Sequence, residues 1–169
     1  MMDTQALMAA TAAMGVLMAL AAWFDLKALR IPNWCVLGVV GVFVVTGLWG
    51  LPWELFLWRF LYGVIVLFVG FGLYSISSGR VGGGDIKLIA ALTPFIAGKD
   101  LLFVLLVFAL LSFAGLMVHR LARGLLRGRK TGWAALDQKR FFPAGLLLGG
   151  TIMIYLGWQL AGGPGPVAA

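Results

Sequence analysis

Six long apolar stretches, separated by short polar connections, leave this chain few folds to choose from. They run over roughly 5–24, 34–51, 54–76, 86–98, 101–119 and 141–160. A helix needs about 20 predominantly apolar residues to cross a bilayer core. The fourth stretch is short, so it needs neighbours to cover its ends or a cavity to start in. Of 169 residues, 62% are hydrophobic and only 11% are charged. No soluble domain of this size could bury so much apolar surface. The expected fold is all-α: a polytopic six-helix transmembrane bundle over residues 1–160, with a disordered Gly/Pro-rich tail at 161–169. The first stretch lacks a basic flank and is long for a signal peptide, so it reads as a retained span.

The placement of charge orients this bundle. Of 13 basic residues, 11 fall in the first, third and fifth connections; the exceptions are Arg59 and Lys99. The excess of Lys and Arg in cytoplasmic loops predicts that these three connections face the cytoplasm and both termini lie outside. A net charge of +7 would suggest nucleic acid in a soluble protein. Distributed between apolar spans it reports topology instead, and no nucleic-acid partner is expected. Six tryptophans, Trp23, Trp34, Trp49, Trp53, Trp58 and Trp158, lie near span ends, the headgroup level that indole favours. Arg120, Arg123, Arg127 and Lys130 share one helical face. This pattern fits an interfacial helix attracting anionic lipid, and equally a solvated loop. Pro32 fixes a sharp turn into the second span, and Asn33 is placed to cap it.

The inventory of reactive groups is small. There is one cysteine, Cys35, and one histidine, His119. One thiol makes no internal disulfide, and together they make no Cys- or His-rich zinc site, so neither metal nor cofactor is expected. Asp3, Glu54 and Asp100 fall on the outer side, and Asp137 sits in the basic loop. Asp25 and Asp85 alone stand at span ends on the same, cytoplasmic side. Two carboxylates brought within hydrogen-bonding distance share one proton. The ionised member then activates water as a general base, and the protonated one polarises a scissile carbonyl. Gly82, Gly83 and Gly84 run directly into Asp85, and glycine lets a substrate backbone approach closely. The residues alone leave other roles open. Asp25 could pair with Lys27 or Arg30 at a helix end, and Asp85 could cap a helix. Intramembrane carboxylates also serve ion and proton sites in transporters, and a non-catalytic assembly subunit would need neither.

Gly82-Gly83-Gly84-Asp85, continuing as Ile86-Lys87-Leu88-Ile89, matches a GxGD motif. Phe24-Asp25-Leu26-Lys27 with Arg30-Ile31-Pro32-Asn33, and Phe142-Pro143-Ala144-Gly145 followed by Gly149, complete a pattern covering nearly the whole chain. In order and spacing it resembles the type IV prepilin peptidases, six-span intramembrane aspartic endopeptidases. The resemblance implies that Asp25 and Asp85 are the catalytic pair, and that the substrate is a prepilin whose basic leader is cut at the cytoplasmic face of the bacterial inner membrane. Larger members carry an extra cytoplasmic region with paired cysteines and methylate the new N-terminus. With only Cys35, this chain looks like the short, peptidase-only branch associated with tight-adherence (Flp-type) pili. The glycines are expected to shape the backbone near the substrate. Lys27 and Lys87 are candidates to bind it, tune the pair or set topology.

Overall fold

The computed structural model describes residues 2–77, 82–126, 132–137 and 143–163. Helices α1 (Thr4–Ala28), α2 (Asn33–Gly50), α3 (Trp53–Ile76), α4 (Gly83–Leu92), α5 (Leu101–Leu125), α6 (Ala134–Asp137) and α7 (Ala144–Leu160) make an all-α protein with no strand among the described residues. Helices α1, α2, α3 and the Gly98–Leu125 segment that contains α5 are long and apolar enough to cross a membrane. Helix α7 is apolar but shorter, at 17 residues. The chain is a helical membrane protein, with four helices of full spanning length among the described residues.

Helix α1 packs most extensively against α7 and α2. Besides Leu7, its buried residues Ala6, Ala10, Met14, Met18, Ala21 and Asp25 recur every three or four positions and so form one stripe. The last member of that stripe is Asp25, so the face that packs the bundle also delivers the carboxylate. Side chains on α2 answer with Cys35, Val39 and Phe43, all fully buried. The upper end of α1 is fixed by Asp3. Its Oδ1 accepts hydrogen bonds from the amides of Gln5 (2.9 Å) and Ala6 (3.4 Å), while its own N–H donates to the carbonyl of Gly50 at 2.8 Å. The cap thus satisfies helix-end donors and ties α1 to the end of α2.

Two prolines start helices. Pro32 and Pro52 are the extended residues preceding α2 and α3, with their φ fixed by the ring. Asn33 is therefore the first residue of α2 rather than its cap, and its side chain is free to bond elsewhere. Helix α4 spans only Gly83–Leu92, about 15 Å at the α-helical rise. Short 3₁₀ turns at Thr93–Phe95 and Gly98–Asp100 carry the chain on to α5, with Pro94 and Phe95 buried at the break. Helix α3 leans on α4 through glycines. A methyl group at Gly63 would lie 2.8 Å from Pro94 Cγ and 3.0 Å from the Ala90 carbonyl, and Gly70 is filled by Ile86.

Helix α5 runs unbroken to Leu125, so Arg120 and Arg123 belong to its final turns and not to a separate interfacial helix. Cations there also suit the negative end of the helix dipole. Arg127 and Lys130 lie outside the described residues, as do Arg80 and tail residues 164–169. Ala161–Gly163 belong to the turn that ends α7, where the N–H of Gly163 donates to the Trp158 carbonyl at 2.9 Å. Trp23, Trp34, Trp49, Trp53 and Trp58 are exposed at the ends of their helices. Trp158 instead stacks on Phe103, with ring centroids 4.3 Å apart.

Gly63→Ala should lower the thermal stability of the purified protein, because overpacking against Pro94 and Ala90 costs about 1–3 kcal/mol. Gly72→Ala, which meets nothing within 4 Å, should be neutral or slightly stabilising. Equal melting temperatures for the two variants would contradict this packing of α3 on α4.

Candidate active site

Asp25 lies one turn before the end of α1 and is only 5% exposed. Leu29, in left-handed conformation (φ 51°), closes the helix by donating its N–H to the Asp25 carbonyl at 2.8 Å. The chain then reverses through Ile31 and Pro32, and Phe24 meets Trp34 edge-on at 5.9 Å across the turn. The Asp25 side chain is met by the start of α7. The N–H of Gly145, second residue of that helix, donates to Asp25 Oδ2 at 2.7 Å. A helix N-terminus presents unsatisfied N–H groups and positive potential, which suits a carboxylate. No cation among the described residues pairs with Asp25. Its partner is a backbone amide, and Lys27, two residues on, is exposed.

Gly145 leaves room for this contact. A methyl group there would sit 3.0 Å from Asp25 Oδ2 and 3.1 Å from Ile31 Cδ1. The same isoleucine reaches α4: a methyl at Gly84 would stand 3.6 Å from Ile31 Cβ. Ile31 therefore joins the starts of α4 and α7 at the end of α1, and all three helix ends meet at one end of the bundle.

Asp85 is the third residue of α4, which Gly82 precedes as cap. It does not cap the helix itself. Its N–H donates to the Gly82 carbonyl at 3.1 Å, and its carboxylate folds back over the same residue. A methyl at Gly82 would come 2.6 Å from Asp85 Oδ2, which no real side chain tolerates without a shift. A side chain at Gly82 would therefore turn the Asp85 carboxylate away from its present position. Asp85 is half-buried, against the nearly complete burial of Asp25, and the two carboxylates are close enough to interact electrostatically. Gly83 makes only ordinary contact with Tyr74, where a methyl would lie 3.8 Å from the ring. Gly79, Arg80 and Val81 lie outside the described residues.

Lys87, two residues on, turns from the aspartates. Its Nζ donates to Asn33 Oδ1 at 3.1 Å, bridging α4 to the start of α2. Beside that bridge opens a cavity of about 480 Å³ between α2, α3 and α4, walled by apolar residues including Val40, Phe43, Phe60 and Ala90. Among the described residues no three His, Cys, Asp or Glu side chains converge as metal ligands. Gly145 and Asn33 stand in the sequence pattern only as parts of the segments 142–145 and 30–33. That Gly145 meets Asp25 and Asn33 meets Lys87 depends on tertiary packing.

Gly145→Val should damage the site more than Gly41→Val, where space is open. The β-branched side chain would press on Asp25 and Ile31. The expected loss is about 1–3 kcal/mol of stability with a larger proportional loss of activity. An unaltered melting temperature and activity would contradict the contact between α7 and Asp25.

Residues 12–119 match the sequence model of the type IV leader peptidase family. No curated protein and no solved structure matches the chain. The matched segment is more than half of the 169 residues and contains both Asp25 and Asp85. By that match the chain belongs to the type IV leader peptidase family.

Proposed function

We propose that this protein is an intramembrane aspartic endopeptidase that removes the basic leader of a type IV, Flp-like prepilin at the cytoplasmic face of the bacterial inner membrane. The observation that carries this reading is the approach of Asp25 and Asp85 at one end of the bundle, with the Gly145 amide bonded to Asp25 and the Asp85 carboxylate lying over Gly82. Family membership supports peptide hydrolysis in general. The distribution of Lys and Arg favours the cytoplasm for this end.

The chemistry follows from two carboxylates close enough to interact. One proton is shared between them. The Gly145 amide hydrogen bond favours the anion on Asp25, and in this reading Asp25 serves as the base and Asp85 as the proton donor. Asp25 takes a proton from water as its oxygen attacks the scissile carbonyl, and Asp85 donates to the carbonyl oxygen. Collapse of the tetrahedral intermediate returns a proton to the leaving nitrogen. The apolar cavity beside Lys87 is placed to take the apolar segment of the substrate. Lys87, held by Asn33, stands at its mouth. Arg120 and Arg123, with Arg127 and Lys130, would contact anionic lipid on the cytoplasmic leaflet. No methyltransferase activity is proposed.

Asp25→Asn and Asp85→Asn should each reduce processing of a purified prepilin by at least about 100-fold while the protein still inserts and folds. Normal cleavage by either variant contradicts the assignment, and ion flux in liposomes without cleavage would favour a transporter. Activity should fall on both sides of an optimum. Acid protonates the base, and alkali strips the proton from its partner. A flat profile of kcat/KM against pH would count against a proton-sharing pair.

A further inference from the structure

The end of the bundle away from Asp25 holds a second polar cluster, which the peptidase chemistry does not use. Leu7 and Asp25 lie on the same helix eighteen residues apart, roughly 27 Å at the α-helical rise. Around Leu7, a cavity of about 480 Å³ is lined by Arg59, Lys99, Asp100, Tyr155 and Gln159. Asp100 is 6% exposed yet well satisfied. Its Oδ2 accepts hydrogen bonds from the Tyr155 hydroxyl (2.9 Å) and Gln159 Nε2 (2.6 Å). The Tyr155 oxygen in turn accepts from the Ala97 amide and from Gln159, each at 3.0 Å.

Arg59 is different. It interrupts the apolar sequence of α3 six residues after Trp53, about 9 Å along the axis. It feels the charge of Asp100 across the cavity but makes no hydrogen bond or ion pair with any described residue. A cation inside an apolar helix is costly and marks a functional site by default. Lys99, on the short turn before α5, adds a second positive charge. Two cations thus face a single carboxylate whose Oδ2 already accepts two donors. The other walls include Leu7, Phe95 and Leu156, which are apolar.

We propose that this cavity binds a phosphate-bearing anion, with the phosphodiester of an anionic membrane lipid as its source. The guanidinium of Arg59 offers a planar fork of donors to phosphate oxygens, and Lys99 a mobile point charge. The apolar walls receive the glycerol and first acyl carbons. The site is independent of the catalytic pair and would anchor α3, whose flank is otherwise little buried, to the α5 and α7 side of the bundle.

The test uses the full chain purified in mild detergent, carrying Arg120→Gln, Arg123→Gln, Arg127→Gln and Lys130→Gln to remove the other basic residues proposed to bind anionic lipid. Native mass spectrometry reads retention of added phosphatidylglycerol against phosphatidylcholine. Phosphatidylglycerol should be retained preferentially, and Arg59→Gln should weaken that retention about tenfold. Arg59→Lys should restore much of it. Displacement of the lipid by millimolar inorganic phosphate would assign the same chemistry to the free anion. Equal retention of the two lipids, or undiminished preference in Arg59→Gln, would overturn the proposal and leave Arg59 as a counter-charge for Asp100. Should Arg59→Gln fail to fold, Lys99→Gln, altered at an exposed side chain, carries the test with the same expected directions.

Discussion

A carboxylate buried in an apolar bundle must be satisfied by the protein, and the Gly145 amide performs that task for Asp25. Left without a donor, such a group would cost several kcal/mol. The hydrogen bond fixes where α7 begins relative to α1, and α1 is the helix that α7 and α2 pack against most extensively. Moving Asp25 would therefore disturb helix packing as well as chemistry. The stripe from Ala6 to Asp25 makes the two inseparable.

Glycine controls how closely the helix ends converge. Gly82 gives the Asp85 carboxylate space to fold back, and Gly145 gives Asp25 and Ile31 theirs. Gly63 lets α3 approach the Pro94 break that ends α4. The short α4 is consistent with this design. It begins at the site, buries Ile86, Leu88 and Ala91, and ends before it could cross a membrane alone. Its first turn is held by Ile31 from one side and by the Lys87–Asn33 bridge from another.

Much of this was legible in the sequence because apolar runs and glycine spacing are local signals. The long helices lie where the runs do, and the two aspartates fall at helix ends. Helix ends were less legible. Helix α5 continues past its apolar run through Arg120 and Arg123, because these residues favour helix as well as leucine does and no glycine or proline lies between His119 and Arg123. Asp85 looked like a cap, yet Gly82 takes that place because the carboxylate is turned back over it. Nothing local identified Gly145 as the donor to Asp25, since their 120 positions of separation are bridged only by tertiary packing. The same holds for Arg59 and Asp100. They read as isolated loop and span charges until the fold gathers them around one cavity.

The central claim is that Asp25 and Asp85 form one site in the membrane-embedded protein. Cysteine cross-linking measures this directly, in native membranes and a Cys35→Ser background. Asp25→Cys with Asp85→Cys should be joined by a short bifunctional thiol reagent. Asn33→Cys with Lys87→Cys serves as the folded control, and Asp25→Cys with Lys99→Cys as the pair at opposite ends. Joining of the first two pairs but not the third is the result expected. A control pair that joins while positions 25 and 85 do not would contradict the account.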